Sequence, residues 1–447
     1  MKHPLPTTPA NGVASGTSRA ARADLPRGWN RVTLHDLLEE VDVRARDMRS
    51  AEGEEIPVFS LTKRFGLIPQ SERFEHRVAT EDTSKYKVVR AGHIAYNPYV
   101  IWEGAVHALR NADVALVSPV YVVWETRESD GGYVDHLLRT PEVMDAYNRL
   151  SSGAVNRRRS IQKDGFLSIE VSIPPLEERR AISAALACAI RSVAASSTTV
   201  GAVRDLRASL RRHLFTYGAV RLDEVDQVVT KDTGIGQMPE GWTIGPLSDY
   251  TALVQYGLSL RGSETGPHLM LRMNSLQDGR ILTTGAPGGV QFVDLDRDQL
   301  AKFRLETGDI LFNRTNSLAL VGKTALFEGD EDTVFASYLV RVRTDRTRLD
   351  PHYVNHYLND AATQSRLKRL ASRGVSQSNI NASKLRALEI PVPPMAEQLE
   401  IVSHLQGVDA LLRAEEARMA AAQSALDSLL RSLTTGSVRL PEFGPST

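Results

Sequence analysis

Two stretches of the chain place apolar residues at alternating steps of three and four. In the later one, Leu405, Val408, Leu412, Met419, Ala422, Leu426, Leu429 and Leu433 keep that spacing, with Glu415 as the single charged exception. Such a heptad seam predicts a helix that buries one stripe against a second helix. Moving back 219 residues gives Leu186, Ala189, Val193, Ser196, Val200, Val203, Arg207, Leu210 and Leu214, the same seam weakened at Ser196 and Arg207. No proline interrupts Glu177 to Phe215 or Ala396 to Leu433, and good helix formers dominate both. Pro174-Pro175 and Pro393-Pro394 stand just ahead of them, and Gly218 and Gly436 just after, where helix starts and C-terminal caps belong. At ~1.5 Å per residue, a helix of about 38 residues spans roughly 57 Å. Matched seams in one chain predict that the two helices face each other. Leu186, Val193, Val200, Arg207, Leu210, Leu405, Leu412, Met419, Leu426 and Leu433 are the expected packing or docking positions. The weak points Ser196 and Arg207 are expected to face a partner protein instead of the sister helix.

The rest of the chain is also written twice. Pro26-Arg27-Gly28-Trp29 recurs as Pro239-Glu240-Gly241-Trp242, 213 residues on. Arg90-Ala91-Gly92-His93-Ile94 recurs as Glu306-Thr307-Gly308-Asp309-Ile310 at 216, and Tyr133-Val134-Asp135-His136 as Tyr353-Val354-Asn355-His356 at 220. Ile173-Pro174-Pro175-Leu176 recurs as Val392-Pro393-Pro394-Met395 at 219, and Gly218-Ala219-Val220-Arg221-Leu222 as Gly436-Ser437-Val438-Arg439-Leu440. Anchors that keep their order at nearly constant spacing mark a duplication with small loop changes. Two copies of one large unit imply internal pseudo-two-fold symmetry.

Ahead of each long helix the pattern is mixed α/β. Ala115–Val117, Val120–Trp124, Ile310–Phe312 and Tyr338–Val342 read as strands, and Val134–Asn148 and Pro351–Ala371 as short helices. The fold class is therefore α/β, with two mixed domains in tandem, each followed by a long helix. The expected boundaries are a disordered tail over 1–23, a first domain 24–175, a central helix 176–217, a linker 218–238, a second domain 239–394, a C-terminal helix 395–435 and a tail 436–447.

Composition narrows the function. Lys+Arg and Asp+Glu both number 54, so the chain is no general polyanion grip, although local patches stay open. Its single cysteine, Cys188, excludes internal disulfides and Cys-rich zinc modules and reads as a small apolar filler on a helix. No stretch of about 18 consecutive apolar residues is present and the first 23 residues lack a signal core, which favours a cytoplasmic location.

Catalytic signatures are missing. Val321-Gly322-Lys323-Thr324 has the tail of a phosphate-binding loop, but Ser317 stands where its leading glycine belongs. The Pro-Pro segments lack the polar residue and the aromatic that base-methylating enzymes use to hold a flipped base. His352 and His356 share a helix face without a matching third ligand, so they read as surface or packing residues and no metal site is assigned. The expectation is a non-catalytic binding or assembly chain without its own cofactor.

Basic and amide residues cluster after the short helices of both copies. Arg149, Arg157, Arg158, Arg159 and Lys163 form the first cluster. Arg366, Lys368, Arg369, Arg373 and Lys384 form the second, with Ser376, Gln377 and Asn379 beside them. Asn313, Arg314 and Asn316 follow a strand nearby in sequence to neither. Arginine and lysine neutralise phosphates, and arginine, glutamine and asparagine can make paired contacts to base edges. Asn97 and Asn313 could alternatively hold local backbone.

These features together resemble the specificity subunit of type I restriction-modification systems. The resemblance rests on the Pro-x-Gly-Trp openings, Gly308-Asp309-Ile310-Leu311 with Asn313-Arg314, Ser118-Pro119-Val120-Tyr121, the Pro-Pro steps followed by Glu178 or Glu397-Gln398, Thr233-Gly234-Ile235-Gly236 and the Gly-x-Val-Arg-Leu ends. It runs from about Asp24 to Leu440. It implies two target-recognition domains that each read half of a bipartite double-stranded DNA sequence, and two long helices packed as an antiparallel coiled coil that spaces them. It further implies docking of two modification (adenine methyltransferase) subunits, which two restriction (translocase and nuclease) subunits can join. S-adenosylmethionine, ATP and Mg2+ would then act in the partners. His93 in place of Asp309, and Arg157-Arg158-Arg159 in place of a polar stretch, predict that the two domains read different half-sites. The rival readings are a two-module scaffold that binds no DNA and a catalytic DNA methyltransferase chain.

Overall fold

The computed structural model describes residues 25–48, 56–63, 66–73, 82–130, 132–151, 159–283, 290–329, 331–373 and 378–443. The expected tail over 1–23 lies outside them. The chain forms two compact units that do not follow chain order: Met1–Ala194 with Ala421–Thr447, and Ala195–Ala420. Each long helix thus contributes residues to both.

The duplication read in the sequence is a duplication of strand order. In the first unit Leu38–Glu40, Val122–Thr126, Ile94–Tyr96 and Val106–Ala108 lie side by side in that order, all antiparallel. In the second, Thr251–Tyr256, Leu339–Thr344, Ile310–Asn313 and Thr324–Leu326 repeat the order and the pairing, and Gly279–Ile281 and Leu276–Gln277 extend the sheet. A two-stranded ladder completes each unit. Asn30 opposes Ile173 in one, and Thr243 opposes Val392 in the other.

Where one short helix was expected after each sheet, two form. They are Tyr133–Leu137 and Pro141–Leu150 in the first unit, and Pro351–Leu358 and Ala361–Leu370 in the second. Local chemistry makes the breaks. Pro141 has no N–H for a continuing helix, and the Asp360 carboxylate accepts from Ala362 N at 2.9 Å, capping a new start. The first core stacks Tyr96, Trp124 and Tyr147 around Phe166, with ring centroids 4.7, 5.7 and 6.0 Å away. In the second, Phe215 of the long helix meets Tyr353 and Tyr357 edge-on at 5.7 and 5.3 Å.

The long helices are Leu176–Tyr217 and Met395–Thr435, 42 and 41 residues. Gly218 and Gly436, at φ +81° and +70°, end them in the left-handed conformation that glycine adopts without strain. Within the second unit Val200 and Val203 pack with Leu412, flanked by half-buried Val408 and Met419. Arg204 pairs with Glu416 at 2.8 Å and Arg207 with Asp409 at 3.3 Å, so position rises along one helix as it falls along the other: the pair is antiparallel. Leu405 is buried in that unit's core, with Leu210 packed against it. Within the first unit, Ile182 and Leu186 share a core with Leu433 and half-buried Leu426 and Leu430. Val193 is half-buried and Ser196 buried.

Several expectations need correction. Arg207 faces Asp409 on the sister helix, not a partner protein. Leu429 is 39% exposed and Leu430 takes the inward place between Leu426 and Leu433, because the helix end packs on its domain core. Cys188 is exposed and is no filler. The segment 218–238 is more than a linker: Thr230–Thr233 and Gly236–Pro239 form an antiparallel hairpin, and Ile235 packs on the second core. Finally, an 18-residue window within Leu176–Gln227 reaches a mean hydropathy of 1.3, so by length and composition this helix could cross a membrane. Much of that hydropathy comes from alanine, and Ile182 and Leu186 are buried in the first core.

Candidate nucleic-acid interface

In the second unit, two clusters that are distant in sequence meet. Thr315–Asn316, Ser378–Asn379 and Ser372–Arg373 form a small three-stranded sheet with Ser378–Asn379 in the middle. Asn379 Nδ2 donates to Thr315 Oγ1 at 2.9 Å, and Ile380 N donates to the Arg314 carbonyl at 2.8 Å. The backbones of Asn316 and Arg373 therefore lie in one surface with Arg314 and Asn379. Ser376 and Gln377 lie outside the described residues.

Arg314 is held from three directions. Its N–H donates to the Tyr338 carbonyl at 3.1 Å and its Nε to the Ser337 carbonyl at 2.9 Å. The guanidinium lies over the Tyr256 ring, 4.9 Å from its centroid. Tyr256 is itself fixed, since its hydroxyl accepts from Ala382 N at 2.9 Å. Tyr256 and Tyr338 are 42% and 45% exposed. Nearby in sequence, Arg369 is exposed at the end of Ala361–Leu370 and makes no side-chain hydrogen bond among the described residues. Lys384 has its ammonium on the Leu370 carbonyl at 2.7 Å, and Arg366 donates to the Glu389 carbonyl at 3.0 Å.

Asn313 is a correction to the expected contact set. It is fully buried, and its Nδ2 donates to the Leu320 carbonyl at 3.2 Å. A side chain with no exposed surface cannot touch a nucleic acid; it fastens the loop that follows the strand. The alternative left open for it, holding local backbone, is the one the structure favours.

The first unit presents a different surface. Pro98 stands where the second unit has Arg314, and Asn97 Oδ1 accepts from Tyr99 N at 3.1 Å, leaving Tyr99 exposed. Arg159 donates to the Asn148 carbonyl and lies over Trp102 at 5.3 Å. Lys163 is paired with Glu40. Arg149 is exposed on Pro141–Leu150, and Arg157 and Arg158 lie outside the described residues. Arg159 and Lys163 are thus partly committed to the fold, and Arg149 is the described cation of this cluster left to solvent.

Some residues that distinguish the two copies belong to the interior, not to this surface. Asp309 is buried and accepts from Arg343 Nε at 2.7 Å and Nη2 at 2.9 Å. That hydrogen bond is the largest cause of the raised Arg343 pKa. In the first unit His93 and Glu125 occupy the matching places, and burial lowers the His93 pKa despite Glu125. Asp309 is thus spent on Arg343 inside the second unit, and partly buried His93 stands in its place in the first. Asp135 likewise accepts from Ala108 N and from Arg110 and Arg139, each at 2.7 Å. Its counterpart Asn355 instead donates to the Gly279 carbonyl at 2.9 Å. Burial alone would raise the Asp135 pKa, but the Arg139 and Arg110 guanidiniums hold it well below the carboxylate range. His356 is buried beside Arg211, with Nη2 to Nδ1 at 3.4 Å, and burial pushes it down to about 4. Among the described residues no group of three or more His, Cys, Asp or Glu could hold a metal ion.

Residues 271–422 match the family described as the type I restriction modification DNA specificity domain. The match covers the whole polar cluster of the second unit except Tyr256. Over these residues the chain is similar to the type I specificity subunits. A sequence named as the MjaX type I restriction enzyme specificity subunit of Methanocaldococcus jannaschii is 30% identical over 210 residues, 46% of this chain and 49% of that one. The EcoKI specificity subunit of Escherichia coli K12 is 22% identical over 322 residues, 69% of this chain and 65% of its own. The chain therefore aligns with about half to two thirds of the length of these relatives. The crystal structure of a type I restriction-modification S subunit from M. genitalium shares the fold, with a TM-score of 0.57 at 12% identity, over 92% of this chain and 97% of that one.

Sequence reasoning took Ser337 with Tyr338 as structural anchors and did not join them or Tyr256 to this surface. Tyr256 lies 58 residues before Arg314 in the chain, and no local spacing joins them. Only the strand order Thr251–Tyr256, Leu339–Thr344, Ile310–Asn313 brings all three to one sheet end.

Proposed function

We propose that this chain is the sequence-reading subunit of a type I restriction-modification complex. Each unit reads one half of a bipartite double-stranded DNA target, and the antiparallel helices set the gap between the halves. Two modification subunits dock on the chain, and two restriction subunits join them in a cleaving assembly. The chain itself is non-catalytic. S-adenosylmethionine, ATP and Mg2+ act in the partners, and the assembly works in the cytoplasm.

The observation that carries this reading is the repetition of one strand order under two different polar surfaces. A shared scaffold with unlike surfaces suits a task performed twice on unlike targets. Arg314, Asn379 and Arg369 provide the donor types that contact phosphates and base edges, and Arg314 lies over the partly exposed Tyr256 ring. The repeated strand frame accounts for why the differences gather at strand ends and loops, where binding residues are usually placed.

The test is selection of random duplexes by the complex of this chain with its modification subunit. The expected enrichment is two short fixed sequences separated by a constant gap, lost when the chain is omitted. Enrichment of a single continuous sequence, or none, would refute the bipartite reading.

A further inference from the structure

Within the second unit's surface, Arg314 differs from the other described cations in how it is held. Lys384 spends its ammonium on a carbonyl and Arg366 spends Nη2 on another. Arg314 is anchored by Nε and by one face, on the Ser337 carbonyl and the Tyr256 ring. Its two η nitrogens make no hydrogen bond among the described residues. A guanidinium fixed in this way loses little further rotamer freedom on binding and presents two parallel donors. Resting on the DNA-binding reading above, we infer that Arg314 is a pre-oriented two-donor contact to DNA and that Tyr256 is its positioning residue. The acceptor is a pair of oxygens or an oxygen–nitrogen pair at matching spacing, as on a phosphodiester or the guanine O6/N7 edge.

The geometry gives Tyr256 two separable functions. Its ring supports the guanidinium, and its hydroxyl ties the start of Ala382–Arg386 by accepting from Ala382 N. Removing only the hydroxyl leaves the ring beneath Arg314. Removing the ring frees the fork. At the matching position of the first unit Pro98 stands in place of Arg314. The Arg314 contact therefore has no counterpart at the matching position of the other unit.

The experiment uses the complex with its modification subunit and the duplex selected as above, over a salt series. Arg314→Ala is expected to weaken binding by about ten- to a hundredfold. A phosphate acceptor would lower the salt slope by about 0.9 with every sequence weakened alike. A guanine acceptor would relax one position of one half-site. Either supports the inference. Tyr256→Phe should stay within about twofold of the parent chain, and Tyr256→Leu should reproduce part of the Arg314→Ala loss with the same change in slope or position. Thermal midpoints of each variant check that the unit still folds. An Arg314→Ala chain that folds and binds with unchanged affinity, slope and sequence would overturn the inference while leaving the bipartite reading intact. Failure of the parent complex to select any duplex would overturn that reading itself.

Discussion

Arg207 Nη1 lies 3.3 Å from Asp409 Oδ1 on the other long helix, with both side chains largely withdrawn from solvent. The repeat register places Leu426 opposite this role in the first unit, and Ile190 in the place of Asp409. Both of those residues are hydrocarbon, Ile190 exposed and Leu426 half-buried, where the second unit has a charge pair. Charge burial carries a desolvation cost that an apolar pair avoids, whereas a buried charge stripped of its partner costs more. Arg207→Leu alone should destabilise the second unit by roughly 3 kcal/mol, because Asp409 then loses its counter-ion. Arg207→Leu with Asp409→Ile should recover most of that loss. Urea unfolding of the two variants checks this, and a double variant no better than the single would contradict it.

Asp135 gives the first unit a dependence on acid. Its pKa is depressed in the fold, since Arg139 and Arg110 outweigh burial. A depressed carboxyl contributes stability above its ordinary value near 3.8, and loses it as pH falls through the folded value. Asp135→Asn should therefore cost stability at pH 7 and cost progressively less below about pH 4. Unfolding midpoints of parent and variant against pH measure the convergence.

Two buried histidines and one half-buried one, His107, act in a higher window. His107, His136 and His356 are each pushed down to about 4, in each case chiefly by burial, from an ordinary 6.5. Between those values the unfolded chain takes up protons that the folded chain refuses, so stability falls as pH drops from about 6.5 to about 4. His356→Asn should flatten that slope. Imidazole titration followed by NMR should place the His356 midpoint well under 6, and a midpoint near 6.5 would contradict the burial argument.

Asn313 and Arg369 separate folding from binding. Asn313→Ala removes a fully buried amide and its hydrogen bond to the Leu320 carbonyl and should cost about 1 kcal/mol of stability. Arg369→Ala removes an exposed charge and should leave stability within about 0.5 kcal/mol while weakening DNA binding, increasingly so at low salt. Thermal unfolding and a salt series on the complex resolve the two effects.

Much of this fold could be read from the chain. The seams from Leu186 and Leu405 report helices because their spacing is local, and the paired Gly-Trp, Gly-x-Ile and Pro-Pro anchors report the duplication. The choice between Leu429 and Leu430 was not readable, since the helix end answers to a domain core that heptad spacing does not encode. Arg207 looked like a break in the seam because its partner, Asp409, is 202 residues away. The basic clusters were correctly located as charged segments, but charge alone does not tell a solvated cation from one already spent. Lys163 on Glu40 and Lys384 on the Leu370 carbonyl became visible only with the strands in place. Asn313 was misread for the opposite reason, its amide being directed inward at Leu320.

The central claim is that each unit reads its own half of a split DNA target. The direct measurement is a map of methylated adenines made by the complex containing the parent chain and by the complex containing Arg314→Ala with Asn379→Ala. The account predicts a two-part motif with a fixed gap for the parent. In the variant, one half should change or weaken while the other half and the gap stay constant. A variant map in which both halves degrade together, or a parent map with one continuous motif, would contradict the account.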